Sequence, residues 1–112
     1  MQAWDDLDEV DRQVMLLAGE EGMLWEVCAT LEPDAAKRDA GIVAEGQRIA
    51  GALAQQGLLW FYRVQPDNPA LTEPEVVALF NDPASWLRDE EAGTVANVCL
   101  FATEDGERFL RS

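Results

Sequence analysis

The chain has 112 residues, with 22 Asp and Glu against 8 Lys and Arg, no His, two Cys and a hydrophobic fraction of 48%. Its length and apolar content fit one domain spanning residues 1–112, built around a single core that removes about two thirds of the unfolded surface from water, and exclude intrinsic disorder. Without His there is no His-based triad and no His metal ligand, and two cysteines cannot complete a four-thiolate zinc site.

From Asp5 to Ala18, Leu7, Val10, Val14 and Leu17 recur at helical spacing, which predicts an amphipathic helix with Asp8, Asp11 and Arg12 outward. Gly19 and Gly22 bracket a break. A shorter helix follows over Met23 to Leu31, with Leu24, Val27, Cys28 and Leu31 on one face, and Glu32-Pro33-Asp34 ends it. Asp34 is placed to cap what comes next. Residues Ala35 to Gln56 read as a long helix, or as two pieces broken near Gly41, with Ile42, Ile49 and Leu53 inward. Gly46 and Ala50 would admit a close neighbouring backbone, and Gly57 stops the helix.

Leu58 to Val64 has the aromatic and branched content of a strand, covered on both faces. Pro66-Asp67-Asn68-Pro69 is a turn cluster, and Thr72-Glu73-Pro74-Glu75 has capping-box spacing ahead of Val76, Leu79 and Phe80. Asp82-Pro83 is a second helix start, with Trp86 and Leu87 available to pack, and Asp89 to Gly93 forms a solvated turn. Thr94 to Ala102 alternates as a strand does. The tail after Thr103-Glu104-Asp105-Gly106 fits either a hairpin leading to a last strand or the cap of a short closing helix.

The fold class expected from this order is α+β: three N-terminal helices, then a small antiparallel sheet with a helical insertion. Two stretches make it resemble a winged helix-turn-helix domain. Ile49, Leu53 and Gln56-Gly57-Leu58-Leu59 running into Trp60 to Arg63 look like that family's third helix, glycine stop and first wing strand. Phe101-Ala102-Thr103-Glu104-Asp105-Gly106 looks like the Leu-Thr-x-x-Gly that leads from the second wing strand into a final helix, with Ala102 in place of the Leu. The connector from Gln65 to Gly93 departs from the family, being long, acidic and helical where a short basic loop is usual. By resemblance, the third helix would enter the DNA major groove, with Lys37, Arg38, Gln47 and Arg48 available for contact.

Charge argues against that use. Residues 1–35 hold ten acids and one base, residues 36–65 two acids and four bases, and residues 66–112 ten acids and three bases. Such a field repels phosphate backbones and anionic lipid, and only the middle third could override it. No apolar run approaches the ~20 residues that span a bilayer, and Trp4-Asp5-Asp6 is no basic leader, so a cytoplasmic protein without membrane contact is expected.

No catalytic, metal or cofactor site is expected. The many acidic pairs arise from composition, the calcium-loop spacing is not met, and Cys28 and Cys99 sit among apolar neighbours with no base to activate them. Trp4, Trp25, Trp60, Phe61, Tyr62 and Trp86 should mostly be core, with an exposed minority in Leu59 to Arg63 or around Trp86. The leading functional expectation is therefore a non-enzymatic interaction module for a basic protein, of the immunity, inhibitor or DNA-mimic kind. Its acidic face would be Asp5, Asp6, Asp8, Glu9, Asp89, Glu90 and Glu91. The alternative is a transcription regulator that binds duplex DNA through its third helix, as a homodimer that pairs two basic faces.

Overall fold

A computed structural model describes residues 7–87 and 97–111. Three helices come first: α1 (Glu9–Gly19), α2 (Leu24–Leu31) and α3 (Ala40–Gln55), with a 3₁₀ turn at Ala35–Lys37 before α3. Strand β1 (Leu59–Arg63) then pairs antiparallel with β2 (Val98–Ala102), and helix α5 (Glu104–Leu110) follows. Between the strands lie α4 (Glu73–Phe80) and a 3₁₀ turn at Pro83–Trp86. The fold is thus α+β, three helices ahead of a two-stranded antiparallel sheet that carries a helical insertion, in the order the winged-helix resemblance implies.

Local chemistry sets most of the boundaries. Asp8 caps α1 by accepting from the Asp11 N–H at 2.9 Å. The expected start at Asp5 lies outside the described residues. Asp34 caps the 3₁₀ turn, and Asp39, in extended conformation, accepts from the Ile42 N–H at 3.0 Å. The long segment from Ala35 is therefore two pieces, and the new cap at Asp39 rather than Gly41 makes the break. At the other end of α3, Gly57 has φ of 76°. Its N–H donates to the Ala54 carbonyl and the Leu58 N–H donates to the Leu53 carbonyl, the paired bonds of a Schellman stop. Thr72 and Glu75 cap each other's backbone at the head of α4 as a full capping box. Asp82-Pro83 starts only a 3₁₀ turn, and the tail resolves as a helix, because Thr103 Oγ1 accepts from the Gly106 N–H at 3.0 Å.

One hydrophobic cluster runs through the described residues, joining Val14, Met15 and Ala18 of α1 to Leu24, Val27 and Cys28 of α2, and these to Ile49 and Leu53 of α3. Leu59 and Phe61 of β1 and Leu100 of β2 close it from the sheet side. Gly46 lets α2 approach α3: a methyl group there would lie 3.2 Å from Val27 Cγ1. Helix α1 packs on β2, α2 and α5, and the 3₁₀ turn of the insertion packs on α2 and α3. Trp86 on that turn is fully buried, with its indole N–H donating to the Leu79 carbonyl at 3.0 Å. Phe80 stands edge-on to both Phe61 and Trp86. The connector is therefore part of the core, not an appended loop.

Both edges of the sheet are covered where they are described. Segment 69–71 runs beside β1, with the Arg63 N–H donating to the Pro69 carbonyl and the Leu71 N–H to the Phe61 carbonyl. On the β2 side, Met23 bridges Cys99 and the Leu100 N–H donates to the Gly22 carbonyl. No helix among the described residues is long and apolar enough to cross a membrane.

Candidate functional site

The four residues that the resemblance assigns to DNA do not form one open surface. Arg38 turns back on the end of α2, where Nε donates to the Glu32 carbonyl at 2.7 Å and Nη2 to the Pro33 carbonyl at 2.8 Å. It supplies donors to the carbonyls of the C-cap residue and of the one after it, which is a structural task. Gln47 Nε2 donates to the Phe80 carbonyl at 3.0 Å and so ties α3 to the insertion. Arg48 forks onto Glu45, three residues earlier on the same helix, at 2.5 Å. Of the four, Lys37 alone has no polar side-chain partner among the described residues.

The structure also brings two rival candidate sites together. Asp8 and Asp11 at the head of α1 lie within the electrostatic reach of Arg48 on α3. Burial, and then the neighbouring Asp8 carboxylate, push the Asp11 carboxyl above its usual range, and Arg48 only partly offsets them. One Asp11 carboxylate oxygen is shielded from solvent without a hydrogen bond. Glu45 moves the other way, below the usual carboxylate range, chiefly through its hydrogen bonds to Arg48. One guanidinium is thus bonded to Glu45 and lies in the field of Asp8 and Asp11 as well.

Of the acidic face, Asp8 is spent on capping and Glu9 accepts from Gln13 Nε2 at 2.9 Å, both at the surface. Asp5, Asp6, Asp89, Glu90 and Glu91 lie outside the described residues. The fourth base of the middle third, Arg63, pairs with Glu75 at 3.2 Å across the insertion. Hydrogen bonds from Thr72, and then Arg63, hold the Glu75 carboxyl below its ordinary value.

The aromatic side chains divide as their chemistry requires. Trp86, fully buried, is no part of an exposed patch, since its one polar group has an internal acceptor. Trp60 is only half-buried. Its indole N–H donates to the Leu71 carbonyl at 2.8 Å, and its ring lines an open groove of about 580 Å3 between α3 and α4. Gly51 and Ala54 form the α3 wall, and Val76, Val77 and Phe80 the α4 wall. Sequence reading missed this groove, although its trace was present: Val77 falls off the Val76, Leu79 and Phe80 side of α4, and it is 60% exposed.

Cys28 and Cys99 are buried and unpaired with each other, and burial pushes both thiols up. Neither is activated as a nucleophile. Among the described residues, no group of three or more Cys, Asp or Glu side chains is arranged to hold a metal ion. What the fold presents is an acidic α+β domain whose bases, among the described residues, are largely engaged internally and which carries an apolar groove beside its insertion. Comparison with protein-family models, with curated proteins and with solved structures yields no match.

Proposed function

We propose that this protein is a small acidic interaction module that binds a basic protein partner by electrostatic complementarity, in the role of an inhibitor, an immunity protein or a mimic of DNA. The observation that carries the reading is the setting of Arg48. It projects from the middle of the helix that would enter DNA, yet Glu45 holds it and Asp8 and Asp11 share its field. A phosphate approaching Arg48 meets three carboxylates as well as one guanidinium, so attraction is cancelled at the point of contact. A cationic surface approaching the same corner meets net negative charge, and the formal charge of -14 steers it from a distance. No catalytic step is assigned.

The test is a pull-down at two ionic strengths, run beside a duplex-DNA titration. Capture of strongly basic proteins at low salt, weakened at higher salt and weakened again by Asp8→Lys with Glu9→Lys, is the expected result. The reading fails if duplex DNA binds at moderate salt with a log–log salt slope of several and if Lys37→Glu with Arg48→Glu abolishes that binding, which would make the protein a DNA-binding regulator.

A further inference from the structure

The groove between α3 and α4 lies outside the buried core, on the face where the insertion meets α3. Its walls are mainly apolar and come largely from two helices, with Gln55, Glu73 and Asn81 as the polar part of the lining. Phe80 packs on Gly51, where an added methyl would lie 3.2 Å from its ring, and Gln47 Nε2 holds the Phe80 carbonyl above that contact. Trp60 forms part of the lining, with its ring orientation set by the bond to Leu71. Val77 opens on it while 60% exposed, on a helix whose other large apolar side chains are packed into the core. An apolar channel between two helices, of a volume within the ~300–1,000 Å3 of ligand clefts, suits the apolar face of an amphipathic segment.

Charge selects the occupant. Glu73 lines the groove and has no ion-pair partner among the described residues. A second copy of this chain would bring another formal charge of -14 to the contact, and like charges brought together at an interface are penalised. A basic amphipathic segment meets no such penalty: its apolar side chains displace water from Trp60, Phe80 and Val77 while its Lys or Arg residues reach Glu73. We infer that the α3–α4 groove, with Val77, Trp60 and Glu73, is where a basic partner inserts an amphipathic segment. The inference rests on the acidic-module reading and adds to it an apolar anchor point.

The probe is a synthetic helical peptide with leucines at i, i+3, i+4 and i+7 on one face and lysines on the other, fluorescently labelled, with a leucine-glutamate counterpart. Anisotropy titrations on the full chain should show binding of the lysine peptide alone. Val77→Asp should weaken it about tenfold, as loss of an apolar anchor does, although the substitution makes the protein more negative. Leu16→Asp, the same charge change at a 45% exposed apolar position on α1, should leave it unchanged. On unsubstituted protein, NMR shift changes should centre on Gly51, Ala54, Val77 and the Trp60 indole. Equal affinity for wild type and Val77→Asp, equal binding of the glutamate peptide, or a self-associated protein made monomeric by Val77→Asp would each overturn the inference. Salt-sensitive binding that ignores Val77→Asp removes the groove and leaves the acidic-module reading standing. Absence of lysine-peptide binding at low salt overturns the inference alone when the pull-down still captures basic proteins, and overturns both readings when it captures none.

Discussion

Gln47 Nε2 and the Phe80 carbonyl, 33 positions apart in the chain, are joined at 3.0 Å. The bond turns a side chain of α3 into a brace for the insertion, and its acceptor lies in the last turn of α4, where carbonyls lack partners within the helix. Gln47→Ala should lower stability by about 0.5–1.5 kcal/mol. The loss should concentrate in α4, so amide hydrogen exchange there should speed up more than in α1 or β2. If exchange in α4 is unaltered, the brace contributes nothing to holding the insertion.

Gly106, in the closing helix, should be harder to replace than Gly46 of α3. A methyl group there would lie 1.8 Å from the Leu58 carbonyl oxygen, a backbone atom that cannot rotate away. That carbonyl already accepts from the Thr103 N–H at 3.1 Å, and Thr103 Oγ1 donates to the Gly57 carbonyl at 2.5 Å. Gly106→Ala should cost about 2–4 kcal/mol in a urea titration. Gly46→Ala should cost less, because it meets a Val27 methyl at 3.2 Å and regains some of the helix propensity that glycine forfeits.

These two glycines mark what the sequence could reveal. The caps at Asp34 and Thr72 and the stop at Gly57 were legible because each depends on residues within a few positions, where side-chain oxygen and backbone N–H have only local choices. The Thr103 to Gly106 segment left a hairpin and a closing helix equally open, and the reason for its glycine is the Leu58 carbonyl, which only the assembled fold brings near. The bases of the middle third looked available because their partners are not all local. Glu45 lies one turn from Arg48 and could be anticipated, whereas Glu75 meets Arg63 only through the path of the insertion. The groove was hidden for the same reason, since its two walls come from opposite sides of β1 in the chain.

Glu75 should make stability rise with pH across the acid range. Its folded pKa lies below the ordinary 4.5, so the folded state releases the proton more readily than the unfolded chain. The resulting stabilisation is complete above 4.5 and disappears as pH falls through the folded value. Glu75→Gln keeps a side chain able to serve the capping box and removes the charge. Urea midpoints of the variant and the parent should differ at pH 7 and converge in acid. A gap that persists unchanged in acid would assign the effect to packing rather than charge.

Asp11 carries the opposite sign. Burial and Asp8 raise its folded pKa above 3.8, so ionisation is harder in the folded state and stability falls as pH rises from 3.8 through the folded value. Asp11→Asn should therefore stabilise the protein at pH 7, by only a few tenths of a kcal/mol because just part of the carboxyl is withdrawn from water, and should confer no gain below pH 3.8. Its amide can also donate to Asp8, which the carboxylate cannot do. A variant less stable than the parent at pH 7 would mean that the favourable field of Arg48 and the α1 dipole outweighs burial.

Tyr62, the chain's one tyrosine, gives a direct reading of the sheet's outer face. It pairs across the ladder with Cys99, and its ring lies 5.9 Å from that of Phe101. Burial pushes the phenol up to about 12, and the Cys99 thiol and Glu21 add to the rise. With a single phenol, ultraviolet titration of the phenolate reports this group alone. The folded protein should titrate near 12 and the urea-unfolded chain near 10, so stability should fall as pH climbs through that interval. Glu21→Gln should lower the folded value slightly, since burial remains. A folded titration near 10 would mean that the face formed by Tyr62, Cys99 and Phe101 is open to water, and that the bridge from Met23 to Cys99 does not close the β2 edge.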